Sequence, residues 1–281
     1  MNETQGCPRD GSDGLSRRDL LRTGVAAGGI AAAMQFVPSG THPALGATAN
    51  ALIWPTPKIV TRKQWGADES QRVAPPSYDS KVQKLVVHHT ATSNSRSDYN
   101  AQIRNIFNYH VSRLYSDIAY NLLIDEQGTI YEGRWATDYA ADMAPTGEDA
   151  LQRQVRGAHA LNHNSRTIGI ALVGTFDTVA PPVPMVDALV EVLAWKCSRW
   201  DLDPTGSSDY ADALGTRVHL PNILSHRDIR QTRCPGNATR ALLPSVRARV
   251  KQIVDARLLQ ARSEVRDDLQ GPQPRHRQTR G

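Results

Sequence analysis

Cysteine is scarce in this chain of 281 residues: Cys7, Cys197 and Cys234 are the three present. So low and odd a count excludes a disulfide framework and leaves metal binding, nucleophilic catalysis or plain burial as roles for a thiol. A long hydrophobic run is also missing. The most apolar stretch, after Arg22, is about fifteen residues, short of the ~20 that a membrane-spanning helix needs. Nor is there a basic stripe. The formal net charge is +5, and the tail 271–281 carries Arg275, Arg277 and Arg280 without an acid. In residues 1–46, Arg9, Arg17, Arg18 and Arg22 cancel against Glu3, Asp10, Asp13 and Asp19. A nucleic-acid partner is therefore not expected, and the basic tail reads as a solvated, disordered end. No internal repeat is visible, and 40% hydrophobic with 22% charged residues excludes wholesale disorder, collagen and coiled-coil arrays.

What is there begins with an address. Residues 16–21 read Ser-Arg-Arg-Asp-Leu-Leu, and after Arg22 no charged residue appears until Lys58. An Ala/Gly-rich stretch from Gly24 to Met34 leads to an A-x-A-like exit at Ala47-Thr48-Ala49. Alanine and glycine on every face give no amphipathic stripe, which argues against an ordinary buried helix. Segment 1–49 resembles a twin-arginine export signal, with Leu20 where that pattern often has Phe. The resemblance implies a protein that folds before export to the cell wall, periplasm or medium, with no membrane segment once the signal is removed.

The mature chain reads as a Pro-rich lead-in (50–82) anchored by Trp65, one domain (83–260) and the basic tail (261–281). Lys84 to Thr90 is a β-branched run expected to be a buried strand. Ile103, Ile106, Phe107, His110, Val111 and Leu114 mark one face of a helix. Tyr120–Ile124 and Thr129–Glu132 read as a hairpin around Asp125-Glu126-Gln127-Gly128. The stretch 138–156 reads as a long surface loop, and Thr167–Val173 as a central strand. Val186, Leu189, Val190, Leu193, Ala194 and Cys197 share a face of a helix over 185–200. Residues 201–222 read as loop, and Ala238 to about Leu259 as helix. The expected fold is mixed α/β, a central mixed sheet flanked by helices, in a monomer.

Three features carry chemistry: the His88-His89 pair, Tyr120, and the run His226 to Gly236 containing Cys234. Two imidazoles and a thiolate with an open fourth position match the stoichiometry of catalytic zinc. Side chains alternate across a strand, so His88 and His89 cannot both face one ion. Which of the two does so is left open by alternation alone.

The runs Arg62-Lys63-Gln64-Trp65-Gly66-Ala67, Val86-Val87-His88-His89-Thr90-Ala91, Asp117-Ile118-Ala119-Tyr120-Asn121 and Tyr131-Glu132-Gly133-Arg134 are followed by Gly157-Ala158-His159-Ala160, Ile168-Gly169-Ile170-Ala171-Leu172-Val173-Gly174 and His226-Arg227-Asp228 to Cys234-Pro235-Gly236. Together they resemble the peptidoglycan recognition protein family, which shares the type 2 N-acetylmuramoyl-L-alanine amidase domain with certain phage lysozymes. The resemblance implies that His88, His226 and Cys234 are ligands of Zn2+, with His89 supporting or structural. It makes Tyr120 the catalytic tyrosine and Thr232 a second catalytic residue, at the position where the phage enzymes have lysine and recognition proteins with amidase activity commonly have threonine. It further implies hydrolysis of the amide joining the lactyl group of muramic acid to L-alanine in peptidoglycan. Family members that only bind peptidoglycan typically lack the cysteine, which this chain keeps. Ala119 departs from the usual glycine, and segment 138–156 and Arg166-Thr167 also depart from the pattern.

Other candidates read more plainly. His110 is expected to be a buried structural histidine and Cys197 a buried hydrophobe. His159 and His163 are expected near the divergent loop, facing either glycan and peptide or solvent. Trp135 either stacks on substrate or anchors the loop. Two other functions remain on the sequence alone: a peptidoglycan-binding module without turnover, and a zinc hydrolase acting on a different amide.

Overall fold

The computed structural model describes residues 54–136 and 146–270. The export-signal reading of 1–49, the start of the divergent loop and the tail 271–281 lie outside the described residues. Among them the order is β1 (Ile59–Val60), α1 (Arg62–Trp65), β2 (Tyr78–Asp79), β3 (Lys84–His89), α2 (Tyr99–Ser112), β4 (Leu122–Ile124) and β5 (Ile130–Glu132). There follow β6 (Gln154–Val155), β7 (Thr167–Leu172), α3 (Val183–Trp200), β8 (Ser207–Ala211), β9 (Arg217–Pro221), β10 (Ile223–Ser225) and α4 (Asn237–Gln270).

Six strands form a mixed sheet in the order β1-β5-β4-β7-β3-β10. Strands β10, β3, β7 and β4 run parallel, and β5 returns antiparallel to β4. The fold is thus mixed α/β. Every residue of β3 and β7 is buried, which is why both read as near-continuous apolar runs. Alternation sorts their side chains between two cores. Leu85, Val87, Ile168, Ile170 and Leu172 pack with Leu189, Val192 and Leu193 of α3 and Val246 and Val250 of α4. On the other side Ala171 and Val173 pack with Ile103, Ile106 and Phe107 of α2, and with Trp65. His88 is in register with Ala171, so its side chain emerges on the α2 side at the carboxyl end of the parallel strands. That is where open α/β sheets place their ligands.

Residues Ile53–Arg262 form one compact unit, and of the remaining residues only 263–270 are described, as the end of α4. The lead-in contributes β1, which pairs with β5, and Trp65, whose indole N–H donates to the Glu132 carbonyl at 2.7 Å. No described helix is long and apolar enough to cross a membrane.

Several elements differ from the sequence reading. Residues 201–222 are not loop throughout: β8 and β9 form a hairpin. Ser207, Asp209, Val218 and His219 are exposed, so no apolar alternation marks it. The turn is instead built by Asp212, whose carboxylate accepts the amides of Leu214 and Thr216. Within 146–156, β6 pairs with β2, and Glu148, Asp149 and Gln154 are buried. The Lys196 ammonium reaches across from α3 to the Thr146 carbonyl and Gln154 Oε1. This part is therefore packed rather than superficial. Helix α4 continues past 261 to Gln270. Strand β4 starts at Leu122, not Tyr120; just before it the Asn121 backbone amide donates to the Gly169 carbonyl, and its side chain adds two bonds, Oδ1 accepting the Gly169 amide and Nδ2 donating to the Val155 carbonyl, both at 2.9 Å.

Candidate metal centre and groove

Three segments distant in sequence converge at the end of β3. The Nδ1 or Nε2 atoms of His88 and His226 and the Cys234 Sγ lie within 4.8 Å of one another. His88 is fully buried, while His226 and Cys234 are half-buried. Strand β3 delivers His88. β10 ends at Ser225, whose backbone amide and hydroxyl both donate to Asp228 at 2.8 Å; this tight turn starts a short 3-10 helix and presents His226. Its ring centre is 4.5 Å from that of His88.

Cys234 is carried by the loop between that turn and α4. Arg227 holds the loop closed, donating to the Arg233 carbonyl and, at 2.7 Å, to Asn237 Oδ1. Gly236 lets the chain pass against β7's exit: at φ +89° a Cβ there would lie 2.2 Å from the Phe176 carbonyl oxygen. Cys234 Sγ sits 3.5 Å from His88 Nδ1 and receives the backbone N–H of His89 at 3.4 Å. The His89 ring points away, and its Nδ1 accepts the Phe176 amide at 3.3 Å. Alternation thus separates the pair as expected. Thr232 lines a neighbouring depression with Asp177, Arg227 and Asn237, and its hydroxyl accepts the Cys234 amide at 3.2 Å, which shapes the cysteine's turn.

Burial governs the electrostatics. It pushes His88 well below the ordinary imidazole value, helped by the neighbouring histidines, and lowers His226 to about 4. It raises the Cys234 thiol to about 12 in the metal-free protein. Two neutral imidazoles and a thiol that only a cation would strip of its proton form a donor set suited to zinc.

Beside the cluster, Tyr120 stands 5.3 Å from His88 and 5.5 Å from His110, ring centre to ring centre. Burial raises its phenol well above the ordinary value, so it remains a hydrogen-bond donor. Tyr120 and His110 also line a groove of about 670 Å3 that follows α2, with Thr90, Thr92, Gln102 and Asn105. His110 is buried, as expected, and its Nδ1 accepts the Ala119 amide at 3.1 Å. Trp135 and Cys197 are buried in the core, so Trp135 does not stack on a ligand.

His159 lies near the divergent loop as expected, in a bend, but the reading of its side chain as facing solvent is corrected. It is buried, and its Nδ1 lies 3.0 Å from His88 Nε2. A signal for it does exist: Gly169 interrupts the bulky run of β7, and a gap in a buried strand marks something lying over it. His163 is half-buried and stacked on Tyr210.

The profile of the N-acetylmuramoyl-L-alanine amidase family matches residues 78–237. The chain belongs to this type 2 amidase and peptidoglycan recognition protein family. It is 28% identical over 185 residues to peptidoglycan-recognition protein 1 of Holotrichia diomphalia, covering 64% of this chain and 76% of that one. It is 31% identical over 185 residues to peptidoglycan recognition protein 1 of Bos indicus, covering 64% and 78%. Among solved structures, peptidoglycan recognition protein-LE in complex with tracheal cytotoxin, a monomeric diaminopimelic acid-type peptidoglycan, is similar at 25% identity and a TM-score of 0.50, covering 66% of this chain and 92% of that one. In this family member the matched segment contains the whole cluster, Tyr120 and the groove along α2.

Proposed function

We propose that this protein is a zinc-dependent N-acetylmuramoyl-L-alanine amidase that hydrolyses the amide between the lactyl group of muramic acid and L-alanine in peptidoglycan. The observation that carries this reading is the gathering of His88, His226 and Cys234 donors within 4.8 Å, beside Tyr120 in the lining of the groove. Zinc bonds of ~2.0–2.3 Å in a tetrahedral site put ligand atoms roughly 3.3–3.8 Å apart, and the His88–Cys234 separation of 3.5 Å already falls there.

When bound, zinc supplies a Lewis acid and brings the pKa of a water in its open position from ~15.7 toward about 7. The chain's own residues do the rest. The groove along α2 receives the stem peptide and places its first amide at Tyr120. The Tyr120 hydroxyl, kept protonated by burial, donates to the amide oxygen as charge develops there. Thr232 holds the Cys234 turn, and the His89 amide donates to the thiolate sulfur. The twin-arginine-like segment supports export to the wall, where this substrate lies.

Incubation of the zinc-loaded protein with purified peptidoglycan, read by mass spectrometry, tests this. Free stem peptides beginning with L-alanine are expected, and none from Cys234→Ser. Retained wall binding without release would instead establish a binding module, and turnover of small muropeptides without intact sacculi a different amide substrate.

A further inference from the structure

The His88 side chain uses only one of its two nitrogens toward Cys234. The other, Nε2, meets His159 Nδ1 at 3.0 Å; His159 Nε2 lies 3.3 Å from the Thr167 hydroxyl, and that hydroxyl is 2.7 Å from the His163 carbonyl oxygen. The direction of this chain of bonds follows from its far end. A carbonyl only accepts, so Thr167 spends its single proton on His163. Its oxygen is then left to accept, and His159 Nε2 must donate. A neutral imidazole carries one N–H, so His159 Nδ1 holds a lone pair and His88 Nε2 must be the donor. The lone pair of His88 is thereby left on Nδ1, the atom that faces Cys234. Both rings are buried, and among the described residues neither has a hydrogen bond to a carboxylate that would favour a second proton.

The position of His159 is built into the sheet. A Cβ on Gly169 would lie 2.4 Å from His159 Cγ and Cδ2, and one on Gly157 would lie 2.6 Å from Cδ2. The imidazole therefore occupies space that two glycines leave free. Real side chains essentially never approach so closely, and packing at interior density then fixes the ring.

We infer that His159 is a positioning residue that holds His88 in the tautomer with a bare Nδ1, and that Thr167 and the His163 carbonyl terminate the relay that sets it. The hydrogen-bond direction stands on this chain's atoms alone; its consequence, a preorganised metal ligand, rests on the zinc reading of the preceding subsection. Partners of this kind, donating or accepting behind a ligating histidine, typically change metal affinity by 10–100-fold.

The test has two independent arms. In the metal-free protein carrying 15N-labelled histidine, long-range 1H–15N correlation spectra should show His88 and His159 both protonated at Nε2. A His88 protonated at Nδ1 would overturn the inference whether or not zinc binds. Chelator competition then gives the zinc affinity of the wild type, His159→Asn and His159→Leu. Asn sets an oxygen where Nδ1 was and keeps the acceptor, so it should stay within about 3-fold of wild type, whereas Leu should weaken binding by about 10–100-fold. Equal affinities for wild type and Leu, or equal losses in Asn and Leu, overturn it. Where His159→Leu does not fold, Thr167→Val serves: a mixture of His88 tautomers supports the relay, and an unchanged tautomer overturns it. A wild type with the expected tautomer but no zinc affinity overturns the zinc reading of the site instead, and with it the preorganised ligand.

Discussion

The rings of Tyr120 and His88 lie 5.3 Å apart with their planes tilted by 52°. That relationship puts a permanently protonated phenol on the groove side of the histidine cluster, within reach of an oxygen that approaches the same cluster. Tyr120→Phe keeps the ring and its packing but removes the donor. A loss of about 10²–10³-fold in kcat is expected, with KM and the thermal midpoint little changed. Steady-state kinetics on purified peptidoglycan decides it, and wild-type turnover in the variant would remove Tyr120 from the reaction.

Cys234→Ser replaces a soft thiolate with a poor ligand in a half-buried loop. Zinc content by atomic absorption should fall from stoichiometric to trace, and activity with it. Chelation of the wild type should do the same reversibly. If zinc binds the folded chain alone, as proposed, saturation at 100 times its Kd should add about 2.7 kcal/mol of stability, seen as a concentration-dependent thermal midpoint. A midpoint indifferent to zinc contradicts the site.

Asn121 is 1% exposed, and its amide serves both neighbours, Gly169 N–H and the Val155 carbonyl. Asn121→Ala leaves the Gly169 amide buried without its partner, at a cost of about 1–3 kcal/mol, and leaves the Val155 carbonyl with the longer contact from Gln154 Nε2 at 3.4 Å. Urea unfolding should show a destabilisation of about 1–3 kcal/mol, carried by the midpoint with little change in slope. A loss near zero would mean that water replaces the amide.

Buried neutral histidines make the metal-free protein acid-sensitive. Burial lowers His110 to about 4 and His159 to about 3, against an ordinary value of 6.5 in the unfolded chain. Above pH 6.5 neither state is protonated and the folded state keeps its full stability. As pH falls from there toward 4, the unfolded chain takes up protons that the fold refuses. Stability should fall by up to about 1.4 kcal/mol per pH unit for each such histidine. Urea midpoints between neutral pH and pH 4.5 measure this; a flat profile would show that these rings are protonated in the fold. His110→Gln should lessen the slope.

Much of the framework was legible because it is written in local periodicity. The buried runs Lys84–His89 and Thr167–Leu172, the α2 face carrying Ile103, Ile106 and Phe107, and the α3 face ending at Cys197 each follow the period of their own element. The β8–β9 hairpin was not legible, because Tyr210 is the one fully buried residue of its two strands and it is set by a turn rather than by an apolar face. Lys196 was not legible either: a lysine in the middle of an apolar helix face reads as a flaw until Thr146, Gln154 and Glu148 come to meet it.

The sequence by itself determined the mixed α/β fold, the family, and the residue types of the candidate site, since strand alternation already forbids His88 and His89 from facing the same way. The tertiary structure alone decided which nitrogen of His88 faces Cys234 and what stands behind the other. His159 lies far from His88 along the chain, and its ring reaches Nε2 only because Gly157 and Gly169 have no Cβ. A hydrogen bond across a sheet face depends on register and on empty space, and neither leaves a periodic mark in the order of residues.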